Sequence, residues 1–128
     1  MYLVDTSVWI DFLRAKQNHH TDLLKQLLES GDAYCCEVVY IEICFGAKDK
    51  QQLRKFQKEF SELPFLHLPN NWYKKIANMG YELRTKGYKP YIADLQIALT
   101  AISHQLPLLT KDKDFIPFQK IFGFEMIN

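Results

Sequence analysis

The chain has 128 residues, of which 48% are hydrophobic and 14% aromatic. This is enough for one hydrophobic core and too little for two ordinary domains, so we expect a single domain over residues 1–128. A charged fraction of 24%, with only five glycines and five prolines, excludes a disordered or collagen-like chain. Acidic residues interrupt the apolar stretches, so we expect no transmembrane segment, no signal peptide and a cytoplasmic location.

The net charge of +1 does not by itself indicate a polyanion as partner. The basic residues are nevertheless concentrated in the segments 48–58 and 74–89, each with five basic residues and one acid. These segments are either two solvated helix faces or a surface that contacts a polyanion. The composition leaves both interpretations open.

The three cysteines, Cys35, Cys36 and Cys44, predict reduced core thiols rather than a disulfide or a zinc site. Two of them are adjacent, which disfavours a bond between them, and an odd number leaves one unpaired. The four histidines are scattered away from the cysteines, without the ligand spacing of a structural zinc site.

Short apolar runs alternate with apolar residues at helical spacing, which predicts strands separated by one or two helices. In chain order we expect a strand at 2–4, helices at about 8–13 and about 21–30, a strand at 33–36, helices at 38–47 and 53–63, a strand at 65–68, helices at about 72–87 and 92–104, and strands at 107–110 and 124–127. Thr6 or Ser7 should cap the first helix, Gly31 should end the second, and Asn70 or Asn71 should cap the helix that starts near 72.

Helical connections between strands predict an α/β fold, in which a mostly parallel sheet carries helices on both faces. In such sheets, ligands bind at the carboxyl ends of the strands. The residues that follow each strand are therefore the first place to look for a functional site.

Four acidic residues fall at this carboxyl edge. Asp5 directly follows the first strand, Asp112 lies two residues beyond Thr110, and Asp94 opens the helix that leads into the same strand. Glu42 lies on the helix after the second strand, and its longer side chain can return to the edge. We expect these four acids to form one site.

Each acid also has an ordinary explanation, as a helix cap, a first-turn residue, a turn residue or an exposed helix residue. Glu42 fits such an explanation least well, because the segment 38–45 is almost entirely apolar. Lys111 and Lys113 flank Asp112 and could pair with it, whereas the other acids have no close basic neighbour in sequence. Two carboxylates 4 Å apart repel by about 4 kcal/mol at an effective dielectric constant near 20. The cluster therefore predicts bound Mg²⁺ or Mn²⁺ and phosphodiester hydrolysis.

Four short motifs span nearly the whole chain. They are Val-Asp-Thr-Ser at 4–7, Tyr-Ile-Glu at 40–42 with Gly46, Ala-Asp-Leu-Gln-Ile-Ala at 93–98 with Thr-Ala at 100–101, and Leu-Thr-Lys-Asp-Lys-Asp-Phe at 109–115. In this order and spacing, the sequence resembles the PIN-domain ribonucleases, and it is most similar in size to the VapC toxins of toxin–antitoxin pairs.

The resemblance implies a three-layer α/β/α domain with a short, mostly parallel sheet and a Mg²⁺- or Mn²⁺-dependent endoribonuclease activity on RNA. It also implies a homodimer and a VapB-like antitoxin partner, as in a type II toxin–antitoxin pair. By residue match, the catalytic and metal-binding residues are Asp5, Glu42, Asp94 and Asp112. By the same match, the supporting residues are Ser7, Thr110 and Asp114. We expect Asp112 to serve the chemistry and Asp114 to cap the turn at Phe115.

Three other classes fit parts of this pattern. A haloacid-dehalogenase-type phosphatase needs a second acid two residues after Asp5, where this chain has Ser7. A receiver domain needs an aspartate at the end of the third strand, where this chain has Leu68 and Pro69. A catalytically inactive PIN-like module that binds RNA or protein is the third class, and a metal titration separates it from an enzyme.

Two further features concern binding partners. The sequence Tyr-Lys-Pro-Tyr at 88–91 precedes Asp94 and is the best candidate for stacking on RNA bases. The helices at 53–63 and about 72–87 carry more large apolar residues than one sheet face covers, which predicts a homodimer.

Overall fold

The structure is a computed structural model that describes residues 1–127. Its elements in chain order are β1 (Tyr2–Val4), α1 (Thr6–Leu13), α2 (His19–Ser30), β2 (Ala33–Cys36), α3 (Glu37–Phe45), α4 (Lys50–Ser61), β3 (Phe65–Leu66), α5 (Trp72–Thr85), α6 (Ile92–His104), β4 (Leu108–Leu109), a short 3-10 turn (Lys113–Phe115), α7 (Ile116–Phe122) and β5 (Met126–Ile127). The longest helix within residues 1–127 is α5 with 14 residues, whereas a membrane-spanning helix needs about 20 mostly apolar residues.

The five strands form one sheet in the order β3-β2-β1-β4-β5, and every pairing is parallel. The central strand β1 lies between β2 and β4, with Leu3 in register with Leu108 and Val4 in register with Leu109. These four residues are completely buried, as expected of parallel strands that are covered on both faces. The predicted three-layer α/β/α fold with a mostly parallel sheet is confirmed. The carboxyl ends of β1 and β4 lie side by side.

The cysteines are free thiols, as predicted. Cys35 and Cys36 are buried in β2, and burial raises the pKa of their thiols to about 12 and about 11. Cys44 is only half-buried on α3, so it lies at the edge of the core rather than inside it. Thiols that stay protonated at neutral pH react slowly, which is consistent with a structural role.

Two helices begin at residues other than those predicted. The cap of α1 is Asp5, whose carboxylate accepts a hydrogen bond from the Ser7 N–H at 3.4 Å, so the prediction of Thr6 or Ser7 as the cap is wrong. α2 begins two residues before Thr21, because Asn18 and Thr21 form a capping box. In both cases a side-chain acceptor determines the start of the helix, and the apolar periodicity begins later.

Other boundaries agree more closely with the prediction. β2 and α6 have the predicted bounds, and Gly31 ends α2 with a left-handed φ of 76°. Asn71, one of the two predicted caps, precedes α5 but makes no side-chain cap hydrogen bond. β3 has two residues instead of four, since the Leu68 N–H donates to Glu37 Oε1 at 3.1 Å and not to a neighbouring strand.

The stretch after β4 differs most from the prediction. The 3-10 turn and α7 occupy residues for which no element was predicted. Pro117 makes the sequence of this stretch look non-helical, although proline is well tolerated in the first turn of a helix. Phe115 and Phe118 are buried, so packing of these two rings holds the short segment against the core.

The apolar faces that suggested a homodimer are mostly covered within the chain. The buried residues on these faces are Phe56, Phe60, Ile76, Met79 and Leu83. The apolar surface that remains exposed on α5 includes Tyr73 and Tyr81. Any dimer contact through α5 would therefore involve these tyrosines and not the buried apolar residues.

Candidate metal centre at the carboxyl edge of the sheet

The first carboxylate of the site, Asp5, lies where β1 ends beside β4. Its backbone N–H donates to the Leu109 carbonyl at 2.9 Å, which ties the two strand ends together. Its Oδ2 accepts hydrogen bonds from Ser7 Oγ at 2.6 Å and from Thr110 Oγ1 at 2.8 Å. The two hydroxyl residues that the motif match named as supporting residues therefore contact Asp5 directly.

Asp5 is almost completely buried, with 4% of its surface exposed. The pKa of its carboxyl is raised, mainly by burial and also by the charge of Asp112, although the hydrogen bonds from Ser7 and Thr110 act to lower it. Within residues 1–127, no lysine, arginine or histidine forms an ion pair with Asp5. A buried carboxylate whose side-chain partners are hydroxyls is stabilised by a cation that approaches it.

Three further aspartates meet beside Asp5. Asp94 lies in the first turn of α6, and Asp112 and Asp114 belong to the turn that follows β4. One carboxylate oxygen from each of these three residues, which we call the aspartate group, lies within 4.8 Å of the other two. A set of carboxylate oxygens without histidine or thiolate suits a hard divalent cation such as Mg²⁺ or Mn²⁺. The donor set therefore fits the predicted metal.

The electrostatic effect of this crowding is largest at Asp94. The pKa of its carboxyl is raised to about 7, mostly by burial and in part by the nearby charges of Asp5, Asp112, Glu42 and Asp114. All four predicted acids and Asp114 consequently share one edge of the sheet.

Glu42 approaches this edge from α3 and is held by Thr6 of α1. Thr6 Oγ1 donates to Glu42 Oε1 at 2.8 Å. Glu42 is half-buried, and its neighbours Ile41 and Phe45 are exposed, so it is less enclosed than the apolar run predicts. Its carboxylate does not belong to the set of oxygens that lie within 4.8 Å of one another, so Glu42 is an outer member of the acidic site.

The two acids after β4 have different local roles from those expected. Asp112 Oδ1 accepts the Asp114 N–H at 2.9 Å and caps the 3-10 turn. The prediction that Asp114 is the cap is therefore wrong. Asp114 is the more exposed of the two and contributes an oxygen to the aspartate group. A cap needs its acceptor before the turn begins, and Asp112 occupies that position.

Lys111 does not pair with Asp112, although the sequence allowed it. Its Nζ lies 2.8 Å from both carboxylate oxygens of Asp11 on α1. Lys113 takes part in no ion pair in the described part of the chain. The prediction from sequence missed Asp11, although an acid inside the apolar stretch 8–13 is the same kind of signal that marked Glu42.

A cavity of about 420 Å³ opens beside the aspartate group. Asp94 and Asp114 form one part of its wall, and Tyr88, Tyr91 and Lys113 form another. The loop that was predicted to contact RNA therefore borders the acids. Tyr91 is well exposed there, so its ring is accessible to a planar ligand.

The fold and the site together define a class of protein: a parallel α/β domain that brings acidic side chains together where its central strands end. A family model for the PIN domain matches residues 2–120. The chain belongs to the PIN domain family, which rules out the phosphatase and receiver-domain interpretations.

Known relatives cover almost the whole chain. VapC ribonuclease Mb1587 of Mycobacterium bovis is 27% identical over 135 residues, which cover 98% of this chain and 96% of that protein. A toxin–antitoxin complex from Klebsiella pneumoniae contains a chain with 27% identity and a TM-score of 0.64, with 90% of each chain covered. VapBC2 from Rickettsia felis, solved bound to a promoter DNA fragment, has a TM-score of 0.78 at 21% identity, covering 99% of this chain and 97% of that one. The last comparison supports the fold alone.

Proposed function

We propose that this protein is a metal-dependent endoribonuclease that acts as the toxin of a type II toxin–antitoxin pair. The observation that carries the proposal is the aspartate group at the sheet edge, which no basic side chain within residues 1–127 neutralises through an ion pair. Asp5, Glu42, Asp94 and Asp112 would hold Mg²⁺ or Mn²⁺. The ribonuclease name of the Mycobacterium bovis relative supports this reaction class.

The chain's own residues orient the acids. Ser7 and Thr110 both donate to one oxygen of Asp5 and so fix the direction of the other. Thr6 restrains Glu42 in the same way. A divalent cation bound here would lower the pKa of water and offset the charge of a phosphate, which is the chemistry that phosphodiester hydrolysis requires.

We place the RNA in the cavity beside the acids. Tyr88 and Tyr91 border it, and stacking of a base on an aromatic ring contributes about 1–3 kcal/mol. Lys89 and Lys113 line the same cavity and can contact phosphates. We propose that this activity is cytoplasmic.

The decisive experiment is a Mn²⁺ titration of RNA cleavage with the purified chain. Wild type and the surface variant Asp22→Asn should cleave RNA as Mn²⁺ is added, and Asp5→Asn should not. Asp22 is an exposed acid in the first turn of α2 and serves as the matched control. RNA binding without cleavage at any Mn²⁺ concentration would instead support the catalytically inactive module.

A VapB-like antitoxin is the second part of the proposal. The Klebsiella pneumoniae structure is a toxin–antitoxin complex, and its similar chain is 27% identical to this one. We therefore propose that a cognate protein holds this nuclease inactive. Co-purification with the product of the neighbouring reading frame tests the partner, and mapping of the cleaved RNA ends then identifies the substrate.

The third part is a homodimer formed through α5. A groove of about 710 Å³ lies between α5, the loop 88–90 and the start of α6. The exposed rings of Tyr73 and Tyr81 and the exposed side chain of Ile92 lie along it. Sedimentation should show a dimer at micromolar concentration and a monomer for Tyr81→Glu, and a monomeric wild type would contradict the proposal.

A further inference from the structure

Asp11 is a buried carboxylate outside the aspartate group. It lies on α1, and only 2% of its surface is exposed. Lys111 Nζ lies 2.8 Å from each of its oxygens, Asn18 Nδ2 donates at 3.1 Å, and Lys16 Nζ lies 3.6 Å away. A carboxylate this deeply buried needs such partners to remain charged. The contacts form a site built for the Lys111 ammonium.

Lys111 lies between Thr110 and Asp112, two residues of the acidic site. Thr110 Oγ1 donates to Asp5, and the Asp112 N–H donates to Thr110 Oγ1 at 3.0 Å. The Lys111 N–H donates to Ser7 Oγ at 3.4 Å. The backbone of this segment is therefore fixed at Asp5 and Ser7, and the Lys111 side chain attaches it to α1 a second time.

The ion pair also determines where the positive charge of Lys111 lies. A lysine next to Asp112 in sequence could place its ammonium on that carboxylate and compete with a metal ion. With both hydrogen bonds to Asp11, the ammonium is held on α1 instead. The acids at the sheet edge thereby stay available to a cation from solution.

We propose that Asp11 is a positioning residue of the active site, which acts through Lys111. Their ion pair anchors the segment from Thr110 to Asp112 against α1 and holds the Lys111 ammonium away from the aspartate group. The inference rests on the proposed function, since the acids it positions are those assigned to the metal.

The first test measures Mn²⁺ affinity by isothermal titration calorimetry for Lys111→Ala, Lys111→Arg and Lys16→Ala. Removing a positive charge near acids strengthens cation binding if charge alone matters. If Lys111 positions the acids, Lys111→Ala instead weakens Mn²⁺ binding, by about tenfold, the lower end of the effect of losing a residue that orients metal ligands. Lys111→Arg should restore most of the affinity, because arginine can keep both hydrogen bonds. Lys16→Ala is the matched control and should bind like wild type.

The second test needs no metal. Hydrogen exchange of the Asp112 and Asp114 amides reports whether the turn keeps its hydrogen bonds. We expect faster exchange at both amides in Lys111→Ala and wild-type rates in Lys16→Ala. We expect Lys111→Ala to fold, because Asp11 keeps Asn18 and Lys16 as partners and the Lys111 side chain is 39% exposed. This variant therefore tests the inference even if Asp11→Asn does not fold.

Kinetics separate positioning from a general loss of stability. Asp11→Asn should lower kcat for RNA cleavage at saturating RNA and leave KM for RNA near its wild-type value. Lower thermal stability with unchanged Mn²⁺ affinity, amide exchange and kcat would overturn the inference. If wild type binds no Mn²⁺, the proposed function fails, whereas the exchange experiment still decides whether Lys111 positions the segment.

Discussion

Asp5 and Asp11 are both buried and lie only six positions apart, but the pKa values of their carboxyls are shifted in opposite directions. Asp11 is bonded to Lys111, and that contact lowers the pKa of its carboxyl. Asp5 is equally buried but has hydroxyl partners, and burial raises the pKa of its carboxyl. Burial is common to both, so the difference comes from the partner. Hydroxyl groups orient a carboxylate without neutralising it, which leaves Asp5 available to an external cation and Asp11 closed to one.

The largest expected effect is the loss of cleavage when Asp5 or an acid of the aspartate group is neutralised. Asp5→Asn and Asp94→Asn should each reduce Mn²⁺-dependent RNA cleavage by orders of magnitude, because each removes a proposed metal ligand. Their thermal midpoints should stay unchanged or rise, since the substitution removes repulsion within the group. Cleavage and thermal unfolding measured on the same samples check this, and near-wild-type cleavage by either variant would refute the site assignment.

A second, smaller difference is expected between the two acids after β4. Asp112→Asn should lose cleavage strongly without losing stability, because asparagine caps a helical turn as well as aspartate does. Asp114→Asn should lose less, since its carboxylate is the more exposed. Equal losses would show that both acids serve the metal, and a loss only in Asp114→Asn would show that Asp114 is the essential acid of the pair.

The contributions of Asp94 and Asp11 to stability should also respond to pH in opposite directions. The pKa of Asp94 rises from 3.8 in the unfolded chain to about 7 in the metal-free fold, so its contribution to stability is largest below 3.8 and is lost as the pH rises through 7. The pKa of Asp11 is lowered, so its contribution is present above 3.8 and is lost as the pH falls below it.

Unfolding of the metal-free protein from about pH 5 to about pH 8 tests this expectation. Over that range Asp94→Asn should gain stability relative to wild type as the pH rises, and Asp22→Asn should follow wild type. A constant difference between Asp94→Asn and wild type would show that Asp94 does not have a raised pKa.

The smallest effect is expected at Asn18, which lies beside the Asp11–Lys111 ion pair. Asn18→Ala should lower the free energy of unfolding by about 1 kcal/mol, because it removes the cap of α2 together with one bond to Asp11. Cleavage should stay near wild type, since Lys111 still pairs with Asp11. Denaturant unfolding measures the loss, and Asn70→Ala, an exposed asparagine that caps no helix, is the control.

The features that could be predicted from the sequence are those that depend on neighbouring residues. The short apolar runs locate the strands, and the acids that follow them fall at the carboxyl edge because parallel strands all end on the same side. Asp5, Asp94 and Asp112 were found in this way, and the motif order led to the correct family. Helix starts were less accurate, as at α1 and α2, because a cap can precede the first apolar residue by several positions.

The sequence alone is enough to predict the fold class, the parallel sheet and the group of acids. These features follow from the apolar periodicity and from the residues that come directly after each strand. Only the tertiary structure decided which lysine pairs with which acid and which of Asp112 and Asp114 is the cap. Lys111 and Asp11 are 100 positions apart and meet because β1 pairs with β4. The turn after β4 takes its direction from the burial of Phe115 and Phe118. Neither arrangement could be predicted from neighbouring residues, because each depends on side chains that only the folded core brings together.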